Sequence, residues 1–209
     1  MSLFRTLLME KQGGGILPAG YTQLNYIKSN ATQAIETDWS PNSYDACFRH
    51  EAIMGQQNYR EATTLFGNYA NGSRMGGFWS YQGDNPVTIG NGEYLFGHTL
   101  GQGVETWKLS VDGINREITA DFNGIIETTT FSGSFHSGFT LMLFSGMFGY
   151  ETSEYALYDF KTYEINNGVE TLVRHYIPAL RDADGEAGLY EVCENIFYTT
   201  TQGDSFTYA

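Results

Sequence analysis

The chain has 209 residues, 25 of them glycine, with 15% aromatic and 17% charged residues and a net charge of −13. Many aromatics with few charges exclude a disordered chain, and Ala, Glu, Lys, Leu and Arg are too sparse for a coiled coil. The acidity excludes a phosphate-coating surface for nucleic acid and disfavours an anionic membrane.

Residues 1–15 stand apart. Leu3, Phe4, Leu7 and Leu8 fall on one face at helical spacing, and Gly13–Gly15 then break the pattern. Arg5 and Lys11 against Glu10 give this stretch +1, which leaves −14 on the remainder. Arg5 interrupts an apolar stretch already too short for a signal peptide, and no small-residue cleavage site follows. The reading is a docking segment, helical or extended, with a Gly linker, on a product made in a cytoplasm. No run reaches the roughly 20 apolar residues of a membrane span, so no insertion is expected.

From residue 16 to 209 the signals are strands and turns of one domain. Tyr21–Ile27 and Gln33–Asp38 are short strand candidates. Tyr44–Met54 is longer: Ala46, Phe48, Ala52 and Met54 share one parity, and Asp45, Arg49 and Glu51 the other. Thr64–Asn68, Gly77–Tyr81 and Glu93–Phe96 follow, separated by Gly/Asn-rich turns, and Glu105–Val111 runs into Asp112-Gly113. Arg116–Phe122 and Ile125–Thr130 flank Asn123-Gly124, the strongest short hairpin signal. Phe139–Phe144 is a nearly continuous apolar run. Tyr155–Ile165 and Val169–Ile177 flank Asn166-Asn167-Gly168, a second hairpin. A dozen or so short strands at regular turn spacing predict an all-β, two-sheet antiparallel sandwich. Cys47 and Cys193 are too few for a disulfide framework and are expected to be buried free thiols, with a single bridge between them as the alternative.

Three stretches carry a family resemblance. LPAGYTQLNYIKSNATQAIETDW at 17–39, VETWKLSVDG at 104–113, and a closing block over 155–206 resemble the LamG-like, concanavalin A-like jelly-roll proteins of phages and prophages of gut bacteria. The closing block includes Leu172-Val173-Arg174, Tyr176-Ile177-Pro178, Asp184-Gly185-Glu186 and Gly188-Leu189-Tyr190. The resemblance implies a jelly-roll sandwich over 16–209, with Trp39 and Trp107 in its core. It also implies a virion protein that decorates a capsid or belongs to a head or tail fibre, partnered by other virion proteins and by copies of itself.

Chemistry of other kinds is thinly represented. The nearest match to the Glu-x-Asp-x-x-Glu strand of related glycosidases is Glu36-Thr37-Asp38-Trp39-Ser40-Pro41, which lacks the third carboxylate and reads as an exposed strand end. His50, His98, His136 and His175 are far apart, with no HExxH spacing, and read as surface or strand residues. Asp182-Ala183-Asp184-Gly185-Glu186 places its glycine too early for a calcium loop and reads as a turn. No catalytic residue, metal ligand or cofactor is therefore expected. Sugars remain, because aromatics stack on their C–H faces and amides bond their hydroxyls. Asn68, Tyr69, Asn71, Arg74, Trp79 and Tyr81 are the candidates for a cell-surface or mucosal glycan, although Trp79 and Tyr81 share a parity that also suits a core. The expected function is a non-enzymatic phage virion surface protein, anchored through Leu3, Phe4, Leu7 and Leu8. The alternatives are a stand-alone glycan-binding adhesin module and, more remotely, a glycoside hydrolase of this fold.

Overall fold

The computed structural model describes residues 17–58, 63–70, 73–80, 88–89, 103–132, 138, 140–145 and 154–209. At 56–58, 63–64, 68–70, 73–80 and 88–89 it describes the backbone alone. The docking segment, with Leu3, Phe4, Leu7 and Leu8, lies outside the described residues, as does the Glu93–Phe96 strand candidate.

Among the described residues there is no helix, and there are sixteen strands. These are β1 (Tyr21–Gln23), β2 (Ile27–Lys28), β3 (Ile35–Glu36), β4 (Cys47–Asn58), β5 (Thr63–Ala70), β6 (Ser73–Ser80), β7 (Thr88–Ile89) and β8 (Glu105–Asp112). The rest are β9 (Glu117–Phe122), β10 (Ile125–Thr130), β11 (Met142–Leu143), β12 (Glu154–Asn166), β13 (Val169–Arg181), β14 (Glu186–Glu191), β15 (Ile196–Tyr198) and β16 (Thr207–Tyr208). They form two antiparallel sheets, consistent with a jelly-roll sandwich. The large one runs β10-β9-β8-β4-β12-β13-β14-β15, with β1 on β13 and β2 between β12 and β16; the small one runs β3-β11-β5-β6-β7. The chain leaves the large sheet after β4, builds β5, β6 and β7 of the small one, and returns at β8 beside β4; β3 and β11 complete the small sheet.

Both Asn-Gly turns stand where the sequence places them. Asn123 and Gly124 have φ of 52° and 91°, and Asn167 and Gly168 of 53° and 76°. Two successive positive φ values define the hairpin turn whose twist matches the flanking strands. The predicted strand Tyr21–Ile27 is instead split. Leu24 donates its N–H to Pro178, while Asn25 and Tyr26 donate to the Ala209 carbonyl, so the chain passes from β13 to β12 in mid-segment. Residues 68–74, read from sequence as lying outside strands at all but their first position, belong mostly to a hairpin: β5 extends to Ala70 and β6 begins at Ser73.

The core lies between the sheets. From the large sheet come Phe48, Trp107, Leu109, Phe122, Tyr155 and Phe160; from the small one and its connections come Ile35, Trp39, Phe66, Leu143 and Phe144. Both expected core tryptophans are buried, Trp39 at 4% and Trp107 at 0% exposure. Tyr155 ties the layers by bonds as well as by packing. Its hydroxyl donates to the Leu65 carbonyl at 2.8 Å and accepts from the Phe144 N–H at 3.2 Å.

One expectation is corrected here. Cys47 and Cys193 are free, but Cys47 is half-buried and Cys193 is exposed in the turn after β14. His50 and His175 sit on strands, β4 and β13, as expected of strand residues, and both are buried. His50 falls on the inward parity of β4 with Phe48, Ala52 and Met54, so the pleat carries it into the core. His98 and His136 lie outside the described residues.

Candidate functional site on the outer face of the large sheet

The same pleat that buries the even positions of β4 turns Arg49 and Glu51 outward. Register then sets the outward residues in rows across the sheet. One row runs Ile126, Asp121, Lys108, Glu51, Lys161, His175, alternating in charge over its middle. The next runs Thr128, Thr119, Ser110, Arg49, Tyr163, Leu172: three hydroxyls, a guanidinium, an aromatic ring and an aliphatic side chain.

Arg49 is the centre of this face. Its guanidinium carbon lies 4.0 Å from the Tyr163 ring centroid. Nε and Nη2 donate to the two Glu170 oxygens at 3.1 and 2.8 Å, and Nη1 donates to Glu51 at 2.8 Å. The fork-to-fork bond to Glu170 and the ring beneath it fix the guanidinium plane. The Glu170 hydrogen bond holds Arg49 even more firmly in its charged form, and Arg49 in turn pulls the Glu170 carboxyl below the usual range. Lys108 reaches Asp121 at 3.4 Å, and the hydroxyls of Thr119 and Thr128 are 2.9 Å apart.

These side chains line an open groove of ≈ 340 Å³, floored by Arg49, Glu51, Lys108, Ser110, Thr119 and Asp121 and bordered by Ile126 and Glu170. Ile126 is on β10 and Glu170 on β13, with four strands between them, so this face of the sheet is concave. A second depression of ≈ 360 Å³ shares Ser110 and Thr119 and ends at Ile114, Ile165 and the Asn167-Gly168 turn. Two cations face three carboxylates in the first groove, and Asp112 and Glu117 add more negative charge in the second.

Beside the groove, Asp159 Oδ1 lies 2.5 Å from His175 Nε2, and Lys161 Nζ lies 2.5 Å from Asp159 Oδ2. Burial pushes the Asp159 carboxyl up, but bonds and charges from His175 and Lys161 outweigh it and hold it low. Asp112 is likewise net lowered: the Asn115 and Cys47 bonds overcome its burial. A general acid needs a carboxyl raised by its site; the shifts at Asp112, Asp159 and Glu170 run the other way. The arrangement offers fixed donors and acceptors on a concave floor, which suits a ligand carrying many hydroxyl groups.

The residues singled out from sequence fall elsewhere. Asn68 and Tyr69 lie on β5, and Arg74 and Trp79 on β6, with Tyr69 directly opposite Arg74 in the small sheet. Asn71 and Tyr81 are outside the described residues. Glu36 does end β3 and is exposed, but Asp38 accepts from Arg174 Nε and Nη2 at 3.1 and 2.9 Å while Trp39 turns inward. Asp182–Gly185 form a turn in which Asp184 binds Arg181 at 2.7 Å, and among the described residues no group of three His, Cys, Asp or Glu could hold a metal. The groove residues were missed because Arg49 and Glu51 had been read only as a polar parity. The signal was the run of polar side chains at alternate positions in three strands that pair.

No family model matches the chain, and no curated protein matches it. Among solved structures its fold is similar to the crystal structure of a "putative carbohydrate binding protein" from Bacteroides ovatus, with a TM-score of 0.62 and 13% identity over 90% of this chain. The chain spans 60% of that neighbour's length. At this identity the likeness speaks for the fold, an all-β sandwich. No described helix is long and apolar enough to cross a membrane.

Proposed function

We propose that the chain is a non-enzymatic carbohydrate-binding sandwich that holds neutral glycans in the outer groove of its large sheet. The observation that carries this is the Arg49 platform, pinned between Tyr163, Glu51 and Glu170 on a concave floor with Ser110 and Thr119. A donor already fixed loses little entropy when a sugar hydroxyl meets it. The excess of carboxylates disfavours sulfated and uronic-acid glycans, because both cations are already neutralised. The named activity of the Bacteroides ovatus neighbour supports the same class of ligand. Binding without hydrolysis is supported by the lowered carboxyls at Asp159 and Glu170.

An array of immobilised neutral glycans, with sulfated and uronic-acid glycans alongside, tests the reading. Neutral glycans are expected to bind. Ser110→Phe, which fills the groove, and Arg49→Leu, which removes the platform, are expected to weaken binding at least about tenfold. Binding untouched by both variants but lost in Trp79→Ala or Arg74→Ala overturns the groove and favours the small sheet. No neutral glycan bound overturns the ligand class.

The second part of the proposal is location: the module belongs to a phage particle, docked by residues 1–15. The resemblance of residues 16–209 to phage jelly-roll proteins supports it, as does the apolar face of Leu3, Phe4, Leu7 and Leu8. Deletion of residues 1–15 is expected to leave glycan binding intact and abolish incorporation into particles. Incorporation at wild-type occupancy overturns the docking role.

A further inference from the structure

Among the described residues the large sheet ends at β10, whose sequence Ile-Ile-Glu-Thr-Thr-Thr is rich in strand formers for an edge. Five of its six residues are β-branched, and it has no lysine or proline. Edges of monomeric sheets are ordinarily guarded by charged side chains or proline, by bulges or by a covering segment; β10 carries one charge, Glu127, opposite buried Ala120. The pairing of β10 with β9 is unbroken from Ile125 to Thr130, without a bulge.

The hairpin turn determines which backbone groups point out. In a two-residue turn the flanking residues, Phe122 and Ile125, are a hydrogen-bonded pair. The Phe131 N–H bond to the Arg116 carbonyl at 2.9 Å keeps the same parity to the far end. Ile125, Glu127 and Thr129 therefore direct their N–H and C=O groups to β9. Ile126, Thr128 and Thr130 direct theirs away from the sheet, and all three are exposed, Ile126 at 66%.

We propose that this edge pairs antiparallel with β10 of a second copy of the chain, about a two-fold axis through Thr128. That register sets Thr128 against Thr128 of the second copy, and Ile126 against its Thr130, so all three outward residues find partners. Glu127 then faces Thr129 of the second copy. The neighbouring two-fold register, centred on Glu127, would pair Ile126 with Thr128 and set Thr130 against the Gly124 turn of the second copy. The number of outward residues that find a strand partner thus selects the register. An antiparallel two-fold runs perpendicular to the sheet, so the concave faces of both copies point the same way. The two β8 floors lie five strand spacings apart, roughly 24 Å. If the groove binds glycan, the pair is a bivalent reader; the pairing itself does not depend on that reading.

Sedimentation equilibrium of the full chain, from low micromolar to about 0.1 mM, tests the pairing. The expected result is twice the chain mass for the wild type and a single chain mass for both Thr128→Pro and Thr128→Lys. The proline removes only an outward N–H, so the β9 ladder survives; the lysines would meet on the axis. Both variants are expected to stay folded, with a cooperative melt only a few degrees below the wild type's, since each loses the Thr119 bond and the pairing. Under mild oxidation, Thr128→Cys in a Cys193→Ser background is expected to give a disulfide-linked dimer, and Thr129→Cys none. A wild type that stays at one chain mass overturns the proposal, as does an assembly that survives both Thr128 variants or cross-linking at 129 in place of 128.

Discussion

Acidification from about pH 6.5 toward pH 3 is expected to remove on the order of 5 kcal/mol of stability through His50 alone. The side chain is fully buried, with the rings of Trp39, Phe48, Phe66 and Phe160 at 5.1, 5.1, 5.7 and 5.5 Å. Its Nδ1 meets the Thr162 hydroxyl at 3.0 Å, while Nε2 is buried without a hydrogen-bond partner. Burial, helped by the charge of Arg49, depresses its pKa to about 3. In the unfolded chain the ring titrates near 6.5. Between those values the unfolded state holds a proton that the folded state refuses. The contribution is thus complete above about pH 6.5 and is lost as the pH falls toward 3. Asp38, Asp112, Asp159 and Glu170, all lowered, act in the same direction but only as the pH falls below about 4.5. The difference in urea midpoints between the wild type and His50→Asn from about pH 7 to pH 4.5 therefore isolates this histidine, with a slope approaching 1.4 kcal/mol per pH unit. His50→Asn should be less stable at neutral pH and nearly flat across that window. A wild-type profile as flat as the variant's would refute the buried neutral ring.

Trp107→Ala is expected to cost about 3–5 kcal/mol, the range for deleting a large buried aromatic. Trp107 has no exposed surface, and it packs edge-on against Phe122 with ring centroids 4.7 Å apart. Its Nε1 donates to Glu105 at 3.0 Å, so the indole satisfies its own polar atom. Ala52 and Phe122 are its partners on either side, and the gap would open in the middle of three paired strands. Trp107→Phe keeps a ring and should lose less than half as much. Thermal melting reads the difference, at roughly 2–4 °C per kcal/mol for a domain of this size. Because Lys108 and Ser110 project from the opposite face of β8, Trp107→Phe should leave the outer groove, and the glycan binding proposed for it, unchanged in the folded fraction. A loss below about 1 kcal/mol for the alanine variant would contradict the inward assignment of this strand face.

Much of the architecture was legible residue by residue. Asn123-Gly124 and Asn167-Gly168 lie in the turns that their positive φ values demand, because few residue pairs adopt that backbone cheaply. The alternation over 44–54 identified the inner face of β4 before any partner strand was known. The split of Tyr21–Ile27 was not legible, since it depends on the carbonyls of Pro178 and Ala209. Nor was the exposure of Cys193: a cysteine in an apolar-poor turn has no local signal that distinguishes core from surface.

The groove marks the boundary most clearly. By itself the sequence determined that Arg49 and Glu51 share a strand face, and that Lys108 and Ser110 alternate with Trp107 and Leu109. Period-two patterning is a property of a single strand. Only the tertiary structure decided that β4 lies beside β8 and β12, bringing Arg49 to Ser110 and Tyr163, and that the β12–β13 hairpin delivers Glu170 to the guanidinium. Arg49 and Glu170 are 121 positions apart. Strand order and register come from how two whole apolar faces bury against each other, and no short stretch of chain carries that information.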